Sequence, residues 1–223
     1  MDKKYELIDE KIRYNGKILY RIRAIKDFGF IEEGELGGFV ESEHNLSHYD
    51  DCWIYDNAIV SGNAEVRNNA IVSGNAEVRN NAEVSGNARV YDYAIVSGNA
   101  IVSGNAEIRD NSIVRDNAEV YDYARVSGNA VVRNYAIVDG NAVIVKNAYI
   151  TSSNDLLCVG QLGSRNDYTT FYLDKNKNIW VSCGCFNGTI EEFEKAVKET
   201  HGDNEYGVQY SAAITMAKTI YKK

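Results

Sequence analysis

The chain has 223 residues, of which 44% are hydrophobic and 25% are charged, and its formal net charge at pH 7 is −8. This composition is typical of folded proteins and excludes intrinsic disorder. Acidic residues outnumber basic ones throughout, by 12 to 8 in residues 1–51, 11 to 8 in 52–151 and 9 to 8 in 152–223. Because no basic stripe is present, we expect no binding to nucleic acid by counterion release.

The N-terminal segment MDKKYELIDEKIRYNGK has no apolar core of the length that a secretory signal needs. No later run approaches the roughly 18 apolar residues of a membrane span. We therefore expect a cytoplasmic protein without a membrane partner. Its four cysteines (Cys52, Cys158, Cys183 and Cys185) are too few and too unevenly spaced for a disulfide framework, so we expect reduced thiols.

The first segment, residues 1–51, is predicted to form a β cap. IRYNGKILYRIRAI places Asn15-Gly16 between two alternating runs, which is a strong hairpin pattern. LGGFVESEHNLSHYDDCWIYDNA then leads from Leu36 into a regular repeat. A cap is expected here because the open end of a stack of strands would otherwise pair with another chain.

Residues 52–151 repeat every six positions. From Ala58 to Ala148 every sixth residue is alanine except Ser112, and from Val60 to Ile150 every sixth residue is valine or isoleucine. Small and branched positions lie two apart, so they face the same side of a strand, which must be the interior. Each repeat is therefore one short strand with two buried side chains.

One corner follows each strand. Residues that tolerate positive φ occupy the same position in successive repeats, and three such corners close a triangular coil. The corner residues are Gly62, Asn68, Gly74, Asn80, Gly86, Asp92, Gly98 and Gly104. A pure period of six is typical of a parallel β-helix. We expect the neighbouring asparagines to stack as hydrogen-bonded ladders, namely Asn63, Asn75, Asn81 and Asn87.

The repeat resembles the hexapeptide-repeat family, in which an aliphatic residue is followed four positions later by a small one, here Val60 and Ala64. The resemblance implies a left-handed β-helix with eighteen residues per coil, whereas the general rule for parallel crossovers favours the right hand. The sequence thus predicts a mainly β protein, with an N-terminal β cap, a left-handed parallel β-helix over 52–151 and a small C-terminal α+β domain over 152–223.

Outward-facing residues that lie eighteen positions apart share one face of the rod, which gives three faces. The first of these faces is apolar. This stripe indicates burial against another copy or against the chain's own C-terminal segment, although β-branched residues also simply suit strands. Related rods are trimers, so we expect a homotrimer. The interface residues that we predict are Ile59, Ile95, Ile113 and Val131.

After Thr151 the sequence predicts three strands, DLLCVGQL, YTTFYLD and NIWVSCG, followed by two helices. Thr189 and Glu192 form a capping box at the start of the first helix. The second helix has apolar residues at helical spacing from Tyr210 to Tyr221.

Two short motifs in this segment are candidates for chemistry. GSRND, comprising Gly163, Ser164, Arg165, Asn166 and Asp167, joins a hydroxyl and a guanidinium in one turn, which suits capture of a phosphate or carboxylate. The motif also fits an ordinary turn with a solvated arginine.

CGCF places two thiols on one strand face if the strand continues. Two thiols do not complete a zinc shell, and inert thiols or a nucleophile paired with a histidine are the other readings. The residues involved are Cys183, Cys185 and His201.

Both ends of the chain carry a second resemblance. The segments LYRIRAIKDFG, LGGFVESEHNLS, CWIYDNA, GSRNDYTTF and CGCFNGTIEEFEKAV are similar to hexapeptide-repeat proteins of bacteriophages and prophages. This resemblance implies a phage-derived protein that acts inside a bacterial cell, and it names no activity.

Three functions remain open at this point. The first is a non-catalytic oligomer whose C-terminal domain binds a small anionic, nucleotide-like ligand or a host protein, for example to counter host defence. The second is acyl transfer. The resemblance implies a histidine of the coils as general base, but the three histidines of this chain, His44, His48 and His201, all lie outside the regular coils. The third is a purely structural rod. We favour the first and assign no catalytic residue, metal ligand or cofactor.

Overall fold

The computed structural model describes residues 2–221. A β-solenoid rod of about six turns forms most of the chain, and a small region of antiparallel sheet and two helices follows it. The mainly β fold with a C-terminal α+β part is therefore confirmed. Neither of the two helices within residues 2–221 has the length and apolar character to cross a membrane.

An antiparallel hairpin precedes the rod. Strands β1 (Tyr5–Tyr14) and β2 (Lys17–Ala24) are joined at Asn15 and Gly16, whose φ angles of 48° and 80° are those of a type I′ turn. Strand β3 (Leu36–Val40) pairs antiparallel with β2 and parallel with the first coil, so the hairpin continues one sheet of the rod. The predicted hairpin is confirmed.

The rod consists of two-residue strands in three parallel stacks. Each strand pairs with the strand eighteen residues later, as Ile95 does with Ile113. The three stacks correspond to the three faces read from the sequence. The strands are β4 Trp53–Ile54, β5 Ile59–Val60, β6 Glu65–Val66, β7 Ile71–Val72, β8 Glu77–Val78, β9 Glu83–Val84, β10 Arg89–Val90, β11 Ile95–Val96, β12 Ile101–Val102, β13 Glu107–Ile108, β14 Ile113–Val114, β15 Glu119–Val120, β16 Arg125–Val126, β17 Val131–Val132, β18 Ile137–Val138, β19 Val143–Ile144 and β20 Tyr149–Ile150.

The interior of the rod is the predicted pair of ladders. Every alanine-position and every valine-position side chain from Ala58 to Ile150 is at most 1% exposed. The single polar member, Ser112, donates from Oγ to the carbonyl of Arg109 at 2.7 Å, so its hydroxyl is satisfied. The inward assignment of both ladders is confirmed.

The corners adopt positive φ as predicted, from 59° at Asn68 to 76° at Gly98. Asparagine ladders run along the edges of the rod, for example from Asn63 to Asn81 at 3.0 Å and from Asn81 to Asn99 at 2.9 Å. The prediction for Asn75 is wrong because the equivalent residue one coil later is Tyr93, which interrupts that ladder.

The C-terminal region contains one strand more than predicted. Strands β21 (Leu156–Leu162), β22 (Asp167–Leu173), β23 (Ile179–Cys183) and β24 (Phe186–Thr189) form an antiparallel sheet in that order. Helices α1 (Ile190–His201) and α2 (Glu205–Tyr221) follow, and the predicted capping box closes through Thr189 and Glu192. Strand β23 does not continue through Cys185, because the chain turns back after Cys183, so the condition for placing both thiols on one strand face is not met.

Candidate functional site

Most of the sequence-predicted ligand residues meet at one open cavity of about 290 Å³ in the C-terminal region. The turn between β21 and β22, the turn between β23 and β24, and both helices contribute to it. Its polar lining consists of Ser164, Arg165, Cys183, Cys185, Thr200 and His201. Its apolar wall is formed by Phe186, Phe193, Ala196, Val197 and Tyr210.

The turn that carries Arg165 is fixed by Gly163. This glycine has a φ of 68°, and its N–H donates to Oε1 of Gln209 at 2.8 Å. A Cβ at this position would lie 2.0 Å from the hydroxyl oxygen of Tyr210, so only glycine fits. Gly163 therefore places Arg165 at the mouth of the cavity but contributes no side chain to it.

The Cys-Gly-Cys turn lies directly against Arg165. Gly184 has a φ of 57°, and a Cβ there would lie 2.7 Å from Nη1 of Arg165. The same Nη1 donates to Sγ of Cys185 at 3.7 Å. The guanidinium thus packs over the glycine between the two cysteines, and a side chain at residue 184 would displace it.

The inner part of the cavity contains Cys183 and Tyr210. The hydroxyl of Thr169 donates to Sγ of Cys183 at 3.3 Å, and the Cys183 thiol donates to the Tyr210 hydroxyl at 3.8 Å. Burial and the adjacent Cys183 sulfur raise the pKa of Tyr210 to about 12, so its hydroxyl stays protonated at neutral pH. The ring of His201 packs against that of Tyr210, with centroids 5.7 Å apart.

Five of the seven predicted ligand residues thus line one cavity. Gly163 and Asn166 shape the β21–β22 turn instead, Asn166 with a φ of 51° and its N–H bonded to the carbonyl of Gly163 at 3.1 Å. The apolar wall was missed as part of a site. Phe193 and Val197 lie on the buried side of α1, and Tyr210 was predicted only as a member of the apolar run of the second helix. Helical spacing alone does not separate a cavity wall from a filled core.

The other two histidines lie at the opposite end of the chain. His44 is exposed, while His48 is half-buried, stacks on Tyr5 and accepts a hydrogen bond from the Lys4 N–H at 3.4 Å. Burial lowers the pKa of His48. Within residues 2–221 no group of three or more histidine, cysteine, aspartate or glutamate side chains is placed to hold a metal ion.

The four predicted interface residues occupy one stack of strands. Ile59, Ile95, Ile113 and Val131 are each half-buried, and Glu77 separates the first from the second. Ile95, Ile113 and Val131 are adjacent in register along β11, β14 and β17. These three residues form a continuous apolar strip on one face of the rod. The strip and Ile59 are together called the apolar stripe.

Comparison with known proteins identifies the rod alone. Residues 82–98 match the family described as YdcK Beta solenoid repeat. This segment lies within the coils and includes none of the cavity residues. No curated protein matches the chain. The match and the observed coils together identify a repeat β-solenoid scaffold.

Proposed function

We propose that the chain is a non-catalytic binding protein, in which the β-solenoid is a rigid stalk and the C-terminal cavity receives a small anionic ligand. The observation that carries this proposal is the position of Arg165. Its exposed guanidinium lies at the mouth of a cavity whose lining, all within the described residues, includes no carboxylate. Within residues 2–221 it also forms no ion pair.

An anion is the ligand class that this arrangement favours. A guanidinium grips a carboxylate or a phosphate through two parallel hydrogen bonds, a geometry that lysine does not reproduce. Ser164 and Thr200 offer hydroxyl donors beside it, and the aromatic wall of Phe186 and Phe193 suits an apolar or planar part of the same ligand. A nucleotide-like anion combines both features. A host protein that presents such a group is the alternative ligand.

Two further parts of the proposal rest on resemblance. The similarity of both ends of the chain to phage and prophage proteins supports phage origin and action inside a bacterial cell. A role against host defence is a further hypothesis, because the resemblance names no activity. Trimer formation follows from the hexapeptide-repeat resemblance, and the apolar stripe supports it because its members align in register on one face. In such a trimer three cavities would be presented at one end of a common stalk.

Calorimetric titration with inorganic phosphate, adenosine monophosphate and benzoate tests the proposal. At least one of these probes is expected to bind, and Arg165→Ala is expected to weaken binding about ten- to a hundredfold, because charge-assisted hydrogen bonds contribute roughly 1.5–3 kcal/mol. Arg165→Lys should restore only part of the affinity. Arg115→Ala removes an arginine from the surface of the rod and is the matched control.

Native mass spectrometry of protein purified from a bacterial host complements the titration, since it reports both the copy number and any retained small molecule. Equal affinity of wild type and Arg165→Ala for every bound probe would exclude the cavity as the anion site. Turnover of acetyl-coenzyme A that is lost in His44→Ala or His48→Ala would replace the binding protein by an acyltransferase.

A further inference from the structure

Cys183 ends strand β23 and Cys185 is the second residue of the two-residue turn that follows it, and both face the same cavity. Gly184 has positive φ whereas Cys185 does not, which is the geometry of a type II′ turn. Residues two apart in such a turn lie roughly 5–7 Å apart at Cα, and disulfides span about 4.4–6.8 Å. The Cα spacing of the turn is therefore compatible with a disulfide between the two cysteines.

The two thiols differ in accessibility and in their neighbours. Cys185 is exposed, and its Sγ is 3.7 Å from Nη1 of Arg165. Cys183 is half-buried and is held by Thr169 and Tyr210. Reactive cysteines are found in partly exposed sites beside a cation, and a second thiol within reach resolves the first bond that they form. Cys185 has the environment of an attacking thiol, and Cys183 has that of a resolving thiol.

The remaining two cysteines are less accessible than Cys185. Cys52 is completely buried, and burial raises the pKa of its thiol although Nζ of Lys4 donates to its Sγ at 3.4 Å. Cys158 is half-buried on β21, where burial likewise raises its pKa and the Thr170 hydroxyl is its hydrogen-bond partner. The chain therefore contains its own matched controls for the cavity pair.

We propose that Cys183 and Cys185 form a redox-active dithiol that closes to an intramolecular disulfide by exchange with a small disulfide such as glutathione disulfide. The Cys185 thiolate attacks one sulfur of the small disulfide and forms a mixed disulfide, releasing the first small thiol. The Cys183 thiolate then attacks Sγ of Cys185 and releases the second. The protein loses two protons and two electrons, and the small disulfide gains them as it becomes two thiols.

The disulfide has a direct consequence for the cavity. Closure moves Sγ of Cys185 towards Cys183 and away from Nη1 of Arg165, so the guanidinium loses its sulfur contact. The anion affinity of the cavity therefore depends on the redox state of the pair. This last step rests on the proposed function, whereas the dithiol itself does not.

Full-length protein is incubated in glutathione buffers of graded ratio of disulfide to thiol, alkylated and analysed by intact and peptide mass spectrometry. Wild type is expected to lose two alkylation sites together, and the mass should fall by that of two hydrogen atoms, with the bond mapped to Cys183–Cys185. Cys158→Ser should behave identically. Cys183→Ser should accumulate a mixed disulfide with glutathione at Cys185, and Cys185→Ser should react much more slowly.

The role of Arg165 is read from the rate of the first step. Arg165→Ala should slow mixed-disulfide formation at Cys185 in the Cys183→Ser background, and Arg165→Lys should recover part of the rate because it keeps the charge. Wild type that stays fully reduced in glutathione disulfide alone would overturn the proposal. So would a wild type that accumulates only the mixed disulfide, or a bond that maps to Cys52 or Cys158.

Discussion

At the scale of single residues, the rod alternates between positions that face the core and positions that face solvent. Val96 is completely buried between two flanking valines of the same ladder, Val78 and Val114, while Ile101 on the next strand is 37% exposed. The two residues are chemically similar and only five positions apart. Their different surroundings make them a matched pair for a test of the inward assignment.

Val96→Asp should lower the free energy of unfolding by about 3–5 kcal/mol, because it buries a carboxylate without a partner. Ile101→Asp should cost less than about 1 kcal/mol, since its side chain reaches water. Denaturant unfolding of both variants measures the difference. Equal losses of stability at the two positions would contradict the assignment of the faces.

Residue-scale features were predictable where they depend on the phase of the repeat. The inward ladders and the positive-φ corners follow directly from six-residue spacing. The corner aspartates carry a contact that the spacing does not reveal: Oδ2 of Asp110 accepts the Gly128 N–H at 2.8 Å, eighteen residues later. Such a bond depends on the coil length and on side-chain rotamers, which the sequence pattern does not specify.

At the scale of elements, the two ends of the rod use the same short cap with different chemistry. At the N-terminal end, Asn45 accepts the N–H groups of Glu41 and Ser42 and donates from Nδ2 to the free carbonyls of Gly62 and Ala64, at 3.0 and 2.8 Å. In a parallel β-helix one end presents unpaired carbonyls and the other unpaired N–H groups. An amide side chain supplies the donors that the first end lacks.

At the C-terminal end the equivalent residue is Asp155, which supplies acceptors. Its Oδ2 accepts the N–H groups of Thr151 and Ser152 at 2.8 and 3.1 Å, and its Oδ1 accepts from Nζ of Lys177 at 3.1 Å. Ser153 and Thr170 accept the N–H groups of Ile137 and Val143. These contacts satisfy four N–H groups at the end of the rod and so reduce the edge to which another chain would pair.

Asp155→Asn should destabilise the protein at neutral pH and have little effect in acid. Burial opposes ionisation of Asp155, but hydrogen bonds from Thr151 and Lys177 outweigh it and hold the pKa below its ordinary value of 3.8. A lowered carboxyl pKa contributes stability above pH 3.8, and that contribution is lost as the pH falls through the pKa of the folded state. We expect a loss of about 1–3 kcal/mol at pH 7.

Unfolding measured from pH 7 down to pH 2.5 tests this expectation, with the exposed Asp203→Asn as control. The wild-type and Asp155→Asn curves should converge below pH 3.8, while the control should follow the wild type throughout. A difference between wild type and Asp155→Asn that persists unchanged into acid would mean that the charge of Asp155 does not contribute.

The element that the sequence did not reveal is β24. FNGT contains an Asn-Gly pair, which is disfavoured in strands and typical of turns. The turn lies just before it, at Gly184 and Cys185, within the CGCF segment, whose sequence leaves open whether the strand continues. The strand forms because the two-residue turn brings FNGT against the edge of β23, with which it pairs in register. The division of the chain at residues 51 and 151 stays a prediction of domain organisation.

At the scale of the whole molecule, strand β22 joins the rod to the C-terminal region. Its alternating side chains enter two different cores: Tyr172 packs among the last buried residues of the rod, and the neighbouring Phe171 packs against Phe193. Both aromatic residues are 0% exposed. Strand β22 therefore fixes the C-terminal region, and with it the cavity that Arg165 lines, to the end of the rod, as the proposal of a rigid stalk requires.

The apolar stripe is the surface through which we propose that three copies associate. Its members lie on one stack of strands between β5 and β17, with Glu77 of β8 between Ile59 and Ile95, and four steps of about 4.8 Å extend it over roughly 19 Å of the rod. A long apolar surface on a rod is stabilised when it is buried against an equivalent surface of another copy. Ile95 and Ile113 are directly paired in register at its centre.

Ile95→Arg combined with Ile113→Arg should convert a trimer into monomers, because two guanidinium groups at the centre of the stripe would lose their hydration on association. Ile101→Arg combined with Ile137→Arg places the same two charges on the second face of the rod and should leave the trimer intact. Light scattering coupled to size-exclusion chromatography measures the mass of each species, and circular dichroism verifies that both double variants are folded. A wild type that already elutes as a monomer would contradict self-association, and dissociation by both double variants alike would show that the interface is not confined to the stripe.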